Sequence, residues 1–431
     1  MAQQPDEQQQ VPNKSAEELL LPASLLAAAR PFLRGELAKV DPELPTLVSV
    51  VQAAGAGECY HKHSTFLGHL FGVYRILHLW GAPAAVSRCG LFHSAYSNSY
   101  VDLAIFDPDT GRDAVRAIVG DAAERLIHLF CIVPRHKLVH DDLLFHYSDD
   151  EIREHLAASA AAVTKGAAAS ADEPWRRKLR SLVPPEGVTV RHIRTGEPVV
   201  LSRRMVAVFL LMTIADFSDQ YTDYQDQLFA NHDGRLEFRG NNLLGTMWPG
   251  TGKPGLWMNA MSRLAALYNL IARDIELDGG ENDDPSLELV IPPVFERCTA
   301  VLEPEEQRAA RDLYWEVVSG GVADAARLEA MLRESIARNP FVGETHLVLA
   351  QAMLNDGGRY EEAAAEAERG LRLLLEWGSS WDKRVSWEGW VSWGRMMRDK
   401  ARQRDWPTTA FGVIGLGLVQ DVKKAPNNNS N

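Results

Sequence analysis

Apolar residues recur at helical spacing along almost the whole chain, and this periodicity restricts it to a mostly α-helical fold. Residues 67–79 form a strongly amphipathic stretch, and 83–92 follow it with Pro83 suited to a first helical turn. Ile118, Ala122, Leu126 and Leu129 place a third helix in 112–130. Residues 25–40, 45–54 and 256–275 carry the same period, and 205–217 is apolar on nearly every side. One stretch departs from it. Val188-Thr189-Val190-Arg191 and Pro198-Val199-Val200-Leu201, separated by Arg194-Thr195-Gly196-Glu197, predict a small β-hairpin.

The organisation along the chain follows from breaks in that pattern. Residues 1–44 read as a disordered polar tail and a leading helix, with Ser15 and Glu18 as a helix-start pair. Residues 45–276 read as one helical domain. Asp278-Gly279-Gly280-Glu281-Asn282-Asp283-Asp284-Pro285 marks a linker over 277–299. Residues 300–420 read as antiparallel helices at 304–319, 322–338, 343–355, 360–375 and 387–403, followed by a disordered tail at 421–431. The Ala-rich run at 160–174 reads as padding or a loose helix, and 229–255 as loop.

Composition narrows the function. A net charge of −13 argues against a nucleic-acid or membrane binder, although Arg176, Arg177, Lys178 and Arg180 are a candidate local basic patch. Cys59, Cys89, Cys131 and Cys298 are scattered and form no CxxC pair, which reads as reduced thiols in a cytoplasmic setting. The first residues carry no apolar run of the secretory kind, and no apolar stretch is long enough to predict a membrane helix. Gly250-Thr251-Gly252-Lys253 does not meet the phosphate-loop pattern.

Two motifs stand out. His63-Ser64-Thr65-Phe66-Leu67-Gly68-His69-Leu70 opens one predicted helix, and Cys89-Gly90-Leu91-Phe92-His93-Ser94-Ala95-Tyr96 closes the next. Thr213-Ile214-Ala215-Asp216 ends a later one. This layout resembles the HD superfamily of metal-dependent phosphohydrolases, which binds divalent ions through an early His, a His-Asp pair and a later Asp. On that resemblance His69, His93 and Asp216 are the metal ligands, and Ser94 stands where the family has its paired Asp. A neutral hydroxyl there removes the bridging carboxylate of a two-metal site. Taken whole, the chain resembles an uncharacterised plant family with an HD-like N-terminal domain and a tetratricopeptide-repeat-like tail. The matching phrases are Gly57-Glu58-Cys59-Tyr60-His61-Lys62-His63, Ala122-Ala123-Glu124-Arg125-Leu126, Leu373-Leu374-Leu375-Glu376-Trp377-Gly378 and Trp381-Asp382-Lys383-Arg384.

Three readings of the site follow from the resemblance. The first is a mononuclear centre of His69, His93 and Asp216 holding Fe, Mn or Zn, suited to hydrolysis or to oxygen chemistry on a small, phosphorylated substrate. The second adds His61 or His63 as a ligand. The third keeps the fold without the metal, with the pocket binding a small molecule or nothing. Ser94, Tyr96, Asn98 and Glu124 are candidate pocket residues, Glu124 reading equally as a solvated carboxylate. Asp219 and Asp223 read as a solvated helix end. Trp377, Trp381, Trp387 and Trp390 are candidates for a partner-protein groove, and core packing is their plainer reading. The function expected from these features is an HD-like domain, catalytically silent or divergent, joined to protein-binding repeat-like helices. The alternative is a metal-dependent hydrolase or iron-dependent oxygenase.

Overall fold

A computed structural model describes residues 21–99, 104–108, 110–166, 172–220, 222–228, 252–255, 257–279, 284–300 and 303–416. The two tails, the Ser15–Glu18 start and most of 229–255 lie outside them. The described chain is mostly α-helical with two small antiparallel hairpins.

Helices α1 (Ala23–Leu33), α2 (Leu44–Ala53), α3 (Phe66–Leu79) and α4 (Ala84–Leu91) come first. The strand pair β1 (Tyr60–His61) and β2 (Ser64–Thr65) sits directly before α3, and the Thr65 hydroxyl caps that helix by accepting from Gly68 N. The expected helix over 112–130 is two, α5 (Arg112–Val119) and α6 (Asp121–Ile132). Gly120 separates them at φ 89°, a conformation that glycine adopts without penalty and that ends a helix. A π-helical turn at Lys137–Asp141 follows. Next comes α7 (Asp149–Lys165), begun by a capping box in which Ser148 and Glu151 satisfy each other's backbone N–H. Then come α8 (Pro174–Leu182) and the expected hairpin, β3 (Val188–Arg191) with β4 (Pro198–Leu201).

Helix α9 (Arg203–Gln220) is the axis of the N-terminal half. It is buried on every side, as its unbroken apolar run requires, and packs against α3, α4 and α11 (Trp257–Leu277). A short helix, α10 (Asp223–Leu228), lies between α9 and α11. The segment expected as a linker contains α12 (Pro293–Cys298), whose Val294, Phe295 and Cys298 are buried. Three of the four cations of the expected basic patch are paired: Arg176 and Arg180 grip Asp274 and Asp278, and Lys178 pairs with Glu151 at 2.5 Å, while Arg177 is exposed.

Helices α13 (Pro304–Val318), α14 (Ala325–Arg338), α15 (Gly343–Asp356), α16 (Tyr360–Trp377) and α17 (Trp387–Gln403) pack in succession, and α18 (Ala410–Ile414) ends the described chain. This layer lies on the first half through α16, which touches α1, α3 and α12. Arg75 of α3 donates to Gly378 O at 3.1 Å and to Glu388 at 2.5 Å, with its guanidinium over the Trp387 ring. Trp80 donates to Glu376 O at 2.9 Å.

Trp377, Trp381, Trp387 and Trp390 are buried, so these rings line no exposed groove. Each indole N–H donates to a backbone carbonyl: Phe341, Gly255, Leu374 and Asp382 respectively. A buried indole needs such a partner, and its area then contributes to the core. Trp387→Ala is therefore expected to lower stability by about 3–5 kcal/mol in a denaturant melt. A surface tryptophan would change it by no more than about 0.5 kcal/mol.

Candidate metal centre

Three helices deliver the buried polar cluster. His69 lies in the first turns of α3, His93 just beyond the end of α4, and Asp216 near the end of α9. Their donor atoms all fall within 4.8 Å of one another. His69 Nε2 is 3.2 Å from Asp216 Oδ1, and His93 Nε2 is 3.9 Å from the same oxygen. Metal–ligand bonds of about 2.0–2.2 Å at 90–109° put neighbouring donors roughly 3–3.6 Å apart. Both spacings lie near that edge length.

The outer contacts settle which atoms face inward. His93 Nδ1 lies 2.7 Å from Gly90 O, so it donates there and leaves Nε2 as the free lone pair. His69 Nδ1 lies 2.9 Å from Asp219 Oδ2, which orients that ring in the same way. Gln220 donates to Asp216 Oδ1. Such partners behind metal-binding histidines fix the tautomer and raise ligand basicity. Gly72 makes the Asp219 contact possible, because a Cβ there would overlap the Asp219 carboxylate.

Electrostatics follow from burial and proximity. Burial pushes His93 down to about 4, so it is neutral at pH 7. Burial disfavours the charged form of Asp216, but His93 and His69 outweigh it and hold the carboxyl well below its usual range. Asp219 is held low in the same way by its bond to His69 and by the Lys383 charge. For His69, the bonds to Asp216 and Asp219 outweigh burial and raise it above its ordinary value. Without an ion, the His69 Nε2 proton therefore fills the centre; a metal has to displace it.

The other sequence candidates sort by contact. His61 stacks on the His69 ring at 4.6 Å, with a buried Nε2 that has no hydrogen-bond partner. It is not one of the three converging ligands, and burial holds it neutral at about 2. His63 sits in the exposed turn of the β1–β2 hairpin. Ser94 is buried and accepts from Asn98 Nδ2 at 3.1 Å. Glu124 is neither solvated nor part of the cluster: it is buried, clamped by Arg112 at 2.7 and 2.9 Å, and accepts from Tyr96 OH. Asp219 and Asp223, expected as a solvated helix end, are both buried, and Asp219 is the partner of His69.

Residues 50–135 match a family described as a domain of unknown function, DUF6817. That segment carries His61, His69 and His93 but neither Asp216 nor Asp219. No curated protein and no solved structure matches the chain. No helix among the described residues is long and apolar enough to cross a membrane.

The proton on His69 generates a sign-specific prediction. Metal binding must expel it, so affinity rises with pH up to the raised His69 value and levels off above it. Zn²⁺ competition titrations should show affinity climbing about tenfold per pH unit below that value, the slope of one released proton. A flat profile would mean that the ion binds without His69.

Proposed function

We propose that this protein is a divalent-metal protein whose mononuclear centre, His69, His93 and Asp216, serves hydrolysis of a small substrate. One observation carries the proposal: three acceptor atoms converge in a buried space, and each of the two imidazoles is held through its opposite ring nitrogen by a partner that points Nε2 inward. Two imidazoles and one carboxylate suit Fe, Mn or Zn and leave coordination positions open. The chemistry such an ion supplies when bound is the acidification of a water molecule near neutral pH. The resemblance to HD phosphohydrolases supports the same reading. The absence of an Asp at Ser94 argues for one ion and not two.

The residues of the chain divide the remaining work. Asp219 and the Gly90 carbonyl hold the two rings in their productive tautomers. His61 offers a neutral ring nitrogen without a partner beside the ligands, able to accept a hydrogen bond from a polar group of the substrate. The burial of all three ligands limits water to what the site admits.

A second reading rests on the 3.2 Å contact between His69 and Asp216, which is already a hydrogen bond in length. There a proton replaces the ion permanently, the HD-like domain is silent, and the repeat-like helices of the C-terminal layer bind a partner protein. Elemental analysis separates the two readings. Protein purified without chelator or affinity metal should carry near-stoichiometric Fe, Mn or Zn, lost in His93→Ala, and should hydrolyse phosphoesters only when loaded. Oxygen uptake in place of hydrolysis would keep the centre but change the reaction. No metal in the wild type after reconstitution would leave the silent reading.

A further inference from the structure

Two lysines without a direct ion pair to a described residue stand near the histidine centre. Lys62 occupies the turn of the β1–β2 hairpin at φ 55°, a left-handed conformation uncommon for a residue with a side chain. It is half-buried, and no hydrogen bond or ion pair to a described residue ties it. Lys383, in the loop between α16 and α17, reaches the C-terminal end of α9. Its ammonium donates to Ser218 O at 2.8 Å and to Ser379 Oγ at 2.7 Å. Neither acceptor is charged, and an ammonium has three N–H groups, so one donor stays available. His63 follows Lys62 in the same turn, next to His61 that stacks on His69, and feels the charges of both lysines and of Asp219.

This arrangement is unlike the treatment of cations elsewhere in an acidic chain. Lys39, Lys137, Lys178 and Lys400 each pair with a carboxylate. Withdrawing an ammonium from water without a counter-ion costs free energy. Asp216 and Asp219 attract both lysines at a distance, but each carboxylate is bonded to His69 and neither forms a direct ion pair with a lysine among the described residues. A loop from the second half of the chain is thus held against the end of α9 by Lys383 and Ser379, and against the segment before α11 by the Trp381 indole, which donates to Gly255 O at 3.0 Å.

We propose that Lys62, His63 and Lys383 form an anion subsite beside the centre, which receives a compact anionic group of the substrate, a phosphate or a dicarboxylate. The C-terminal layer is then a part of the site and not only an attached scaffold. The claim builds on the centre proposed above, but anion capture by lysines needs no metal, so the two can fail separately.

The test is calorimetric titration of inorganic phosphate, and in a second arm malonate, into the full-length, chelator-treated protein at pH 7 and low salt. Saturable binding of at least one anion is expected, weakened about tenfold or more in Lys62→Gln and in Lys383→Gln, the loss of one charge-assisted contact. Arg404→Gln, a cation paired with Glu361 on the far layer, should bind as the wild type does. The thermal melt of Lys62→Gln should stay near the wild type, since no contact with a described residue ties that side chain, so its loss of binding cannot come from unfolding; Lys383→Gln also loses the contacts that hold its loop to α9 and should melt somewhat lower. Preference between the two anions names the group. No saturable binding, equal affinity in the lysine variants, or an equal loss in Arg404→Gln would overturn the subsite. Lysine-dependent binding in a protein that never takes up metal would retain the subsite and remove the metal reading.

Discussion

Three acceptor atoms held at one another's edge inside a protein repel, and something positive has to sit among them. That constraint organises the N-terminal half. His69 Nε2 and Asp216 Oδ1 come from α3 and α9 and His93 Nε2 from just beyond α4; both imidazoles are aimed by partners outside the cluster, and Gln220 donates to the carboxylate oxygen. The contact between His69 and Asp219 matters most, because it settles which nitrogen of His69 faces inward. It exists only because Gly72 leaves room for the Asp219 carboxylate between α3 and α9. A proton on His69 or a divalent ion can meet the need for charge. The first gives a quiet structural histidine, the second a reactive centre.

The rest of the fold keeps this cluster dry and fixed. Helix α9 is buried all round, so Asp216 and Asp219 have little freedom to turn away. Arg75, Trp80 and the loop after α16 lock the second helical layer against the first. The indoles that suggested a partner groove serve this packing, with their N–H groups spent on backbone carbonyls. The segment with a linker's composition likewise ends in a buried helix, and one apolar core runs through both halves.

Much of this was legible in the sequence. The 3.6-residue period located the main helices, and alternation located the β3–β4 hairpin. The resemblance of the His69, His93 and Asp216 motifs to the metal-binding layout of the HD superfamily anticipated the cluster, whose donor atoms the fold brings within 4.8 Å. The period failed at Gly120, where one backbone angle splits a helix without altering the apolar spacing on either side. Asp219 looked like a solvated helix end because its partner, His69, lies 150 residues earlier. Glu124 belonged to Arg112 for the same kind of reason: the bidentate pair that buries it depends on how α5 meets α6. Lys383 carried no local signal at all, because its position beside α9 is a product of tertiary packing.

The central claim is that the convergent atoms hold an ion. Anomalous diffraction at the absorption edge of the bound metal tests it directly, on crystals of protein purified without affinity metal. The account expects one peak about 2.0–2.2 Å from His69 Nε2, His93 Nε2 and Asp216 Oδ1. A map with no peak there after metal reconstitution, and with His69 still bonded to both Asp216 and Asp219, would contradict it.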